Sequence, residues 1–313
     1  MEGLYDLGEV ELCRESMERL EKYRTSKGAI PGLNDVPWIC STGCFQLAVV
    51  WYKLGELEKG NSLFNYALGL QNESGGWYGS YPAPGLVAKF YRGRKKPYYF
   101  PDEEISWAVK YFLDALALKE RLEFEKQAPT FMDNIDENDG RYCLIKKCIE
   151  AAEKQTEGRL EVCDIGCGRG RYLKRLVIDC PNNDYYASDI SECVMSSINV
   201  VKEKRLCSMT NISYQDNRFD VVYACESFEH AINLKAAFKE MHRITKSGGK
   251  LIIIDKPLEK LGQLEIDEWE QWISDDDIKL FVDECGGSLE IIKSVPYENK
   301  DDGLFRAWII TKG

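Results

Sequence analysis

The sequence predicts two parts, a helical front and an α/β region built on a parallel sheet, and three observations carry that prediction. The spacing of apolar residues changes from a helical period to short β-rich runs after about Gln127. One of those runs, LEVCDI, leads into a glycine-rich turn and then a helix. The chain closes on two β-rich runs, SLEIIKSVPY and LFRAWIITKG, joined by the polar loop ENKDDG, which suits a hairpin at a sheet edge. A length of 313 residues leaves room for two separate cores.

In the front part, helices are expected over 10–23, 39–54 and 57–70, separated by the breaker-rich loops GAIPGLNDVPW and NESGGWYGSYPAPG. A further helix is expected in DEEISWAVKYFLDALALKERLEFEK. Ile105, Ala108, Phe112, Leu116 and Leu122 recur there at helical spacing, behind the start signal Pro101-Asp102. The polar stretch PTFMDNIDENDGRY offers little to anchor a core, so it reads as a linker. The expected boundaries are therefore 1–127 for the helical part, 128–142 for the linker or lid, and 143–313 for the α/β part. In the last, LEVCDI, DYYASDI, FDVVYAC and KLIIID alternate with helical segments, the pattern of a parallel sheet covered on both faces.

Charge and composition exclude some classes of function. A formal net charge of -11 argues against a nucleic-acid partner, since phosphate contacts need clustered Lys and Arg. The one basic run, Arg92-Gly93-Arg94-Lys95-Lys96, is expected to be a solvated loop. The acidic amino terminus lacks a signal-peptide layout, and no apolar run is long enough for a membrane span, so a cytoplasmic protein is expected. Twelve cysteines scattered through strands and helices read as reduced thiols. Cys40 and Cys44 have no second pair to complete a zinc set and read as buried small hydrophobes.

The turn Gly166-Cys167-Gly168-Arg169-Gly170 lets backbone approach a ligand closely, and the helix after it offers unpaired N–H groups. A dinucleotide fingerprint would need a small residue where Arg171 stands, and a P-loop would need Gly-Lys-Ser/Thr. DIGCGRG resembles the first motif of class I S-adenosylmethionine-dependent methyltransferases. YYASDIS, NISYQDNRFDVVYACESFEH and KSGGKLIIIDKP resemble that family's later segments, in the right order. The resemblance covers about residues 143 to 313 and implies a Rossmann-like seven-stranded sheet with its last strand antiparallel. It also implies S-adenosylmethionine as cofactor. Carried over residue by residue, Asp164, Gly166 and Gly168, with Gly170 in the same turn, would hold the amino-acid end of the cofactor. Asp189 and Ile190 would hold the ribose and adenine, with the acceptor-only carboxylate on both ribose hydroxyls. Ser208 and Met209 would lie beside the adenine, where many relatives have an acid, and Glu226 near the reacting sulfonium.

If the acceptor is a hydroxyl, a positioned base adds rate. His230 in ESFEH follows the fourth strand of that fold, where its crevice opens, and is the first candidate base. Glu229 and Asp255 are reserves, and His242 in FKEMHRITK is expected at a helix surface. No His-rich cluster points to a catalytic transition metal, whereas carboxylate-bound Mg²⁺ stays open. The acceptor pocket is expected from Tyr142 and from LEKLGQLEIDEWEQW, where the spacing of Trp269 and Trp272 would put both on one helical face.

In the front part, QNESGGW resembles the QW motif of terpene cyclases and their prenyltransferase relatives, with Gln71, Gly75 and Trp77 in register. That resemblance implies a partial α/α toroid. The part would then buttress the catalytic domain, pair subunits into a homodimer, or present an acceptor. Trp77, Tyr78, Tyr81, Asp102, Glu103 and Trp107 would suit a carbohydrate, or else fill the helical core. The expected activity is methyl transfer to an oxygen of a sugar or glycan precursor. Another small molecule (a natural product or carboxylic acid) is the alternative acceptor. A non-catalytic cofactor-binding scaffold and a nucleotide-dependent oxidoreductase are the rival classes.

Overall fold

A computed structural model describes residues 1–33, 36–83, 98–266 and 269–313. Contacts divide the chain into Met1–Glu123 and Phe124–Gly313. The division falls inside a helix, a few residues before the expected 127.

In the first unit, α1 (Glu2–Asp6), α2 (Val10–Glu21), α3 (Ser41–Lys53), α4 (Leu57–Leu68) and most of α5 (Ser106–Gln127) surround one apolar core. The unit is not all helix: β1 (Trp38–Cys40) pairs antiparallel with β2 (Ser80–Pro82). Strands of three residues carry no alternation to read, which is why the sequence hides them. Helix α3 begins at Ser41, where Cys40 caps it by accepting from the Gly43 N–H. Cys44 is buried, and desolvation pushes its thiol up to about 12, so it packs as a small hydrophobe. Trp77 is fully buried against Phe45 and Phe112, and its indole N–H donates to the Ala67 carbonyl at 2.7 Å. It is therefore a core residue, not a sugar platform. The Gln71 amide donates to the Gly75 carbonyl at 2.9 Å, which closes the turn that brings Trp77 back to the end of α4.

The second unit holds a seven-stranded sheet. Its strands are β3 (Glu161–Ile165), β4 (Asp184–Asp189), β5 (Glu203–Leu206), β6 (Phe219–Cys225), β7 (Thr245–Asp255), β8 (Ser288–Ile292) and β9 (Arg306–Thr311). Their order is β5-β4-β3-β6-β7-β9-β8, and β9 runs antiparallel to both its neighbours. Strand β5 was not visible in the sequence, because this edge strand alternates half-buried and exposed residues instead of running apolar. Around the sheet lie α6 (Gly140–Glu153), α7 (Arg171–Asp179), α8 (Glu192–Met195), α9 (Leu234–Ile244) and α10 (Asp275–Cys285), and one apolar cluster fills each face. The expected linker contains the start of α6, capped by Asp139. His242, expected at a surface, is buried in α9, with Nε2 2.9 Å from the Gly286 carbonyl oxygen.

Successive strands step outward from β3 to β5, then the chain returns to the other side of β3 as β6. A parallel sheet that reverses its winding opens a crevice at the carboxyl ends of the two strands flanking the reversal. Here those strands are β3 and β6.

Candidate functional site

At the end of β3, backbone N–H groups of Gly166 and Cys167 donate to the Ser188 carbonyl at 2.8 and 3.1 Å, which holds the glycine turn against the end of β4. Asp189, the last residue of β4, accepts from the Gly168 N–H at 2.9 Å and the Ser191 N–H at 3.0 Å. The carboxylate expected to grip a ribose therefore sits on the turn expected to cradle the ligand. Burial raises the pKa of Asp189, against these backbone donors.

Gly168 has φ +53°, and a Cβ there would meet nothing within 4 Å, so space lies open above this part of the turn. Gly166 differs: a Cβ on it would come 2.5 Å from Ser227 Cβ and 3.3 Å from Met209 Cε. Asp164 lies under the turn, fully buried, and accepts from the Tyr223 hydroxyl at 3.0 Å. Desolvation pushes its carboxyl up to about 8. Ile190 and Met209 are half-buried, and Ser208 Oγ lies 2.9 Å from Thr210 Oγ1. Open space at Gly168, a carboxylate beside it and the amino end of α7 after Gly170 fit a nucleoside with an amino-acid tail. When bound, S-adenosylmethionine supplies an activated methyl group on sulfur.

Glu226 follows β6 with φ +54°, and one of its oxygens, Oε1, accepts from Arg141, Arg171 and Tyr172. Beyond it lies a second charged cluster. Glu229 and Asp255 are essentially fully buried, and the Glu229 N–H donates to Asp255 at 3.2 Å. The Lys256 ammonium donates to Glu229 at 2.6 Å and Glu270 at 2.9 Å, and Trp272 Nε1 donates to Glu270 at 2.9 Å. Desolvation pushes Glu229 up to about 7 against the pull of Lys256, and holds Asp255 well above the usual carboxylate range. His230 Nδ1 lies 3.3 Å from the Trp269 carbonyl oxygen, and Nε2 3.9 Å from Glu229. A carbonyl only accepts, so Nδ1 is the donor in this contact. Glu229, His230 and Glu270 offer ligand atoms within 4.8 Å of one another, but the Lys256 ammonium already supplies the positive charge that the two carboxylates face.

Two expectations about the acceptor pocket are corrected. Tyr142 is in the core, with its hydroxyl on Asp179 at the far end of α7, away from the crevice. Trp269 and Trp272 lie in irregular chain, not on a helical face, because Glu270 and Gln271 are tied to Lys256 and to the Glu229 and Ala231 carbonyls. Trp272 is buried and Trp269 half-buried. The basic run 92–96 lies outside the described residues. Arg141, Arg171, Lys256 and Glu270 escaped the sequence reading, because a charge in a polar stretch looks solvated until the fold buries it.

Residues 163–253 match the model of the methyltransferase domain family. They span β3 to β7 and include the turn, Asp189 and Glu226–His230. That family is one of methyltransferase domains. Among curated proteins, the chain is similar to the ubiquinone/menaquinone biosynthesis C-methyltransferase UbiE of Burkholderia orbicola, 27% identical over 142 residues, 41% of this chain and 58% of that one. The enzyme of the same name from Cupriavidus metallidurans is 28% identical over 127 residues, 36% of this chain and 52% of that one. The chain thus spans little more than half the length of these relatives. Among solved structures it is similar to a SAM-dependent methyltransferase of Thermotoga maritima, with TM-score 0.43 and 18% identity, over 60-odd per cent of this chain (62%) and 100% of that one.

Proposed function

We propose that the chain transfers the methyl group of S-adenosylmethionine to a hydroxyl oxygen of a small molecule. The observation that carries the cofactor half is the bond between Asp189 and the Gly168 N–H at the reversal point of the sheet. In this reading Asp164, Gly166, Gly168 and Gly170 hold the amino-acid end, Asp189 and Ile190 the ribose and adenine, and Ser208 and Met209 flank the base. Glu229 takes the acceptor proton, with His230 Nε2 as its alternate and Asp255 below it. A carboxylate held at about 7 is matched to removing a proton near neutral pH.

Sugars and glycan precursors are the first acceptors to test, followed by other small hydroxy compounds. The carbohydrate reading has lost its main ring to the core, and half-buried Tyr78 and Tyr81 with exposed Trp107 remain. The front part is proposed as a toroid-like accessory module, supported by the Gln71 and Trp77 bonds. A carbon acceptor is the second reading, favoured by the names of the curated relatives.

The test is methyl transfer from isotope-labelled S-adenosylmethionine to acceptor pools, with NMR assigning the methylated atom. Glu229→Gln should lower turnover by about a hundredfold and leave S-adenosylhomocysteine binding nearly unchanged. A carbon-bound label would select the second reading. Tight cofactor binding with no acceptor in any pool would select a scaffold, and binding of NAD in its place would sink the reading altogether.

A further inference from the structure

Four charged side chains from two helices and two loops meet beside the glycine turn. Arg141 in α6 is 2% exposed and bonds Asp139 through two nitrogens, Nε at 3.0 Å and Nη2 at 2.8 Å. Its third nitrogen, Nη1, reaches Glu226 Oε1 at 2.6 Å. Arg171, the first residue of α7, meets the same oxygen, and so does the Tyr172 hydroxyl at 3.2 Å. The Arg141 guanidinium also lies over the Phe305 ring, 4.8 Å from its centroid. A buried guanidinium needs compensating charge and fixed partners. The two arginines are balanced by Asp139 and Glu226.

All three donors fall on Oε1, and Oε2 accepts no bond among the described residues. The Glu226 side chain is 24% exposed, the most open of the network. Its backbone is also constrained, because a glutamate at φ +54° adopts a conformation that side chains disfavour. A carboxylate pinned by one oxygen at a crevice mouth presents its other oxygen in a set direction.

We infer that Arg141 is a positioning residue for the methyl donor: it fixes Glu226 so that Oε2 pairs with the α-ammonium of the donor's amino-acid end. This rests on the cofactor reading above. Arg141 lies in α6, outside the matched segment 163–253, so seating this helix becomes a condition for gripping the donor.

The test uses the full chain and isothermal titration with two ligands, S-adenosylhomocysteine and its analogue lacking the α-amino group. The wild type should bind the analogue about tenfold more weakly, the loss expected for one charge-assisted bond. Arg141→Met should weaken S-adenosylhomocysteine by a similar factor and leave the analogue within about twofold of its wild-type affinity. Glu226→Gln, which keeps the side-chain volume, should show the same selectivity loss and serves if Arg141→Met does not fold. Equal weakening of both ligands in either variant, or no weakening, would overturn the inference, since a purely structural role cannot tell the two ligands apart. A wild type that binds neither ligand would instead overturn the cofactor reading.

Discussion

Asp189 has one task in the chain by itself and a second in the proposed reading. Its carboxylate accepts from Gly168 and Ser191 backbone N–H groups, so it shapes the turn before any ligand arrives. Asp189→Ala is expected to weaken S-adenosylhomocysteine by at least about tenfold, through lost charge-assisted bonds, and titration calorimetry would measure it. Unchanged affinity would remove its ribose role. Asp164 makes a different expectation, about pH. Its carboxyl sits near 8 in the fold against an ordinary 3.8, so the folded chain binds the extra proton between those values. Stability from this group is complete below its ordinary value and is lost as pH rises through about 8. The urea midpoint should therefore fall across that window, and Asp164→Asn should flatten the fall.

The glycine turn is one element with two kinds of glycine. Gly168→Ala puts a methyl group into open space at φ +53°. It should cost about 1–2 kcal/mol of stability while lowering S-adenosylhomocysteine affinity. Gly166→Ala drives a methyl group to 2.5 Å from Ser227 Cβ, so it should cut the yield of folded protein before binding is measured. The pair, compared by thermal melting and calorimetry, separates ligand space from packing. In the first unit, Trp77→Ala removes a fully buried ring and its bond to Ala67, and should cost about 3–5 kcal/mol in a denaturant melt. A loss below about 1 kcal/mol would show that the turn after α4 does not depend on the ring.

For the whole molecule, the expected readout is linkage. S-adenosylhomocysteine at about a hundredfold over its dissociation constant should stabilise the chain by about 2.7 kcal/mol, seen as a higher melting temperature, and an about tenfold weaker Asp189→Ala should keep only about 1.4 kcal/mol of it at the same concentration. The net charge of -11 is the other large-scale property, and a polyanion such as nucleic acid is expected not to bind in a gel-shift titration at physiological salt. No helix among the described residues is long and apolar enough to cross a membrane.

Local pattern settled the parallel strands β3, β4, β6 and β7, the closing hairpin and the turn between β3 and α7. Buried parallel strands are apolar along their length, and a left-handed turn favours glycine, so both constraints are written in neighbouring residues. The short ribbon β1–β2 and the edge strand β5 were not legible, since their partners lie far away in the chain or their faces stay wet. Asp189, Glu229, His230 and Asp255 could be singled out one by one, whereas Arg141, Arg171, Lys256 and Glu270 could not. What a charged side chain does depends on which opposite charge is buried beside it. Glu226 lies 85 positions from Arg141 and 55 from Arg171, and only the folded sheet brings such partners within bonding distance.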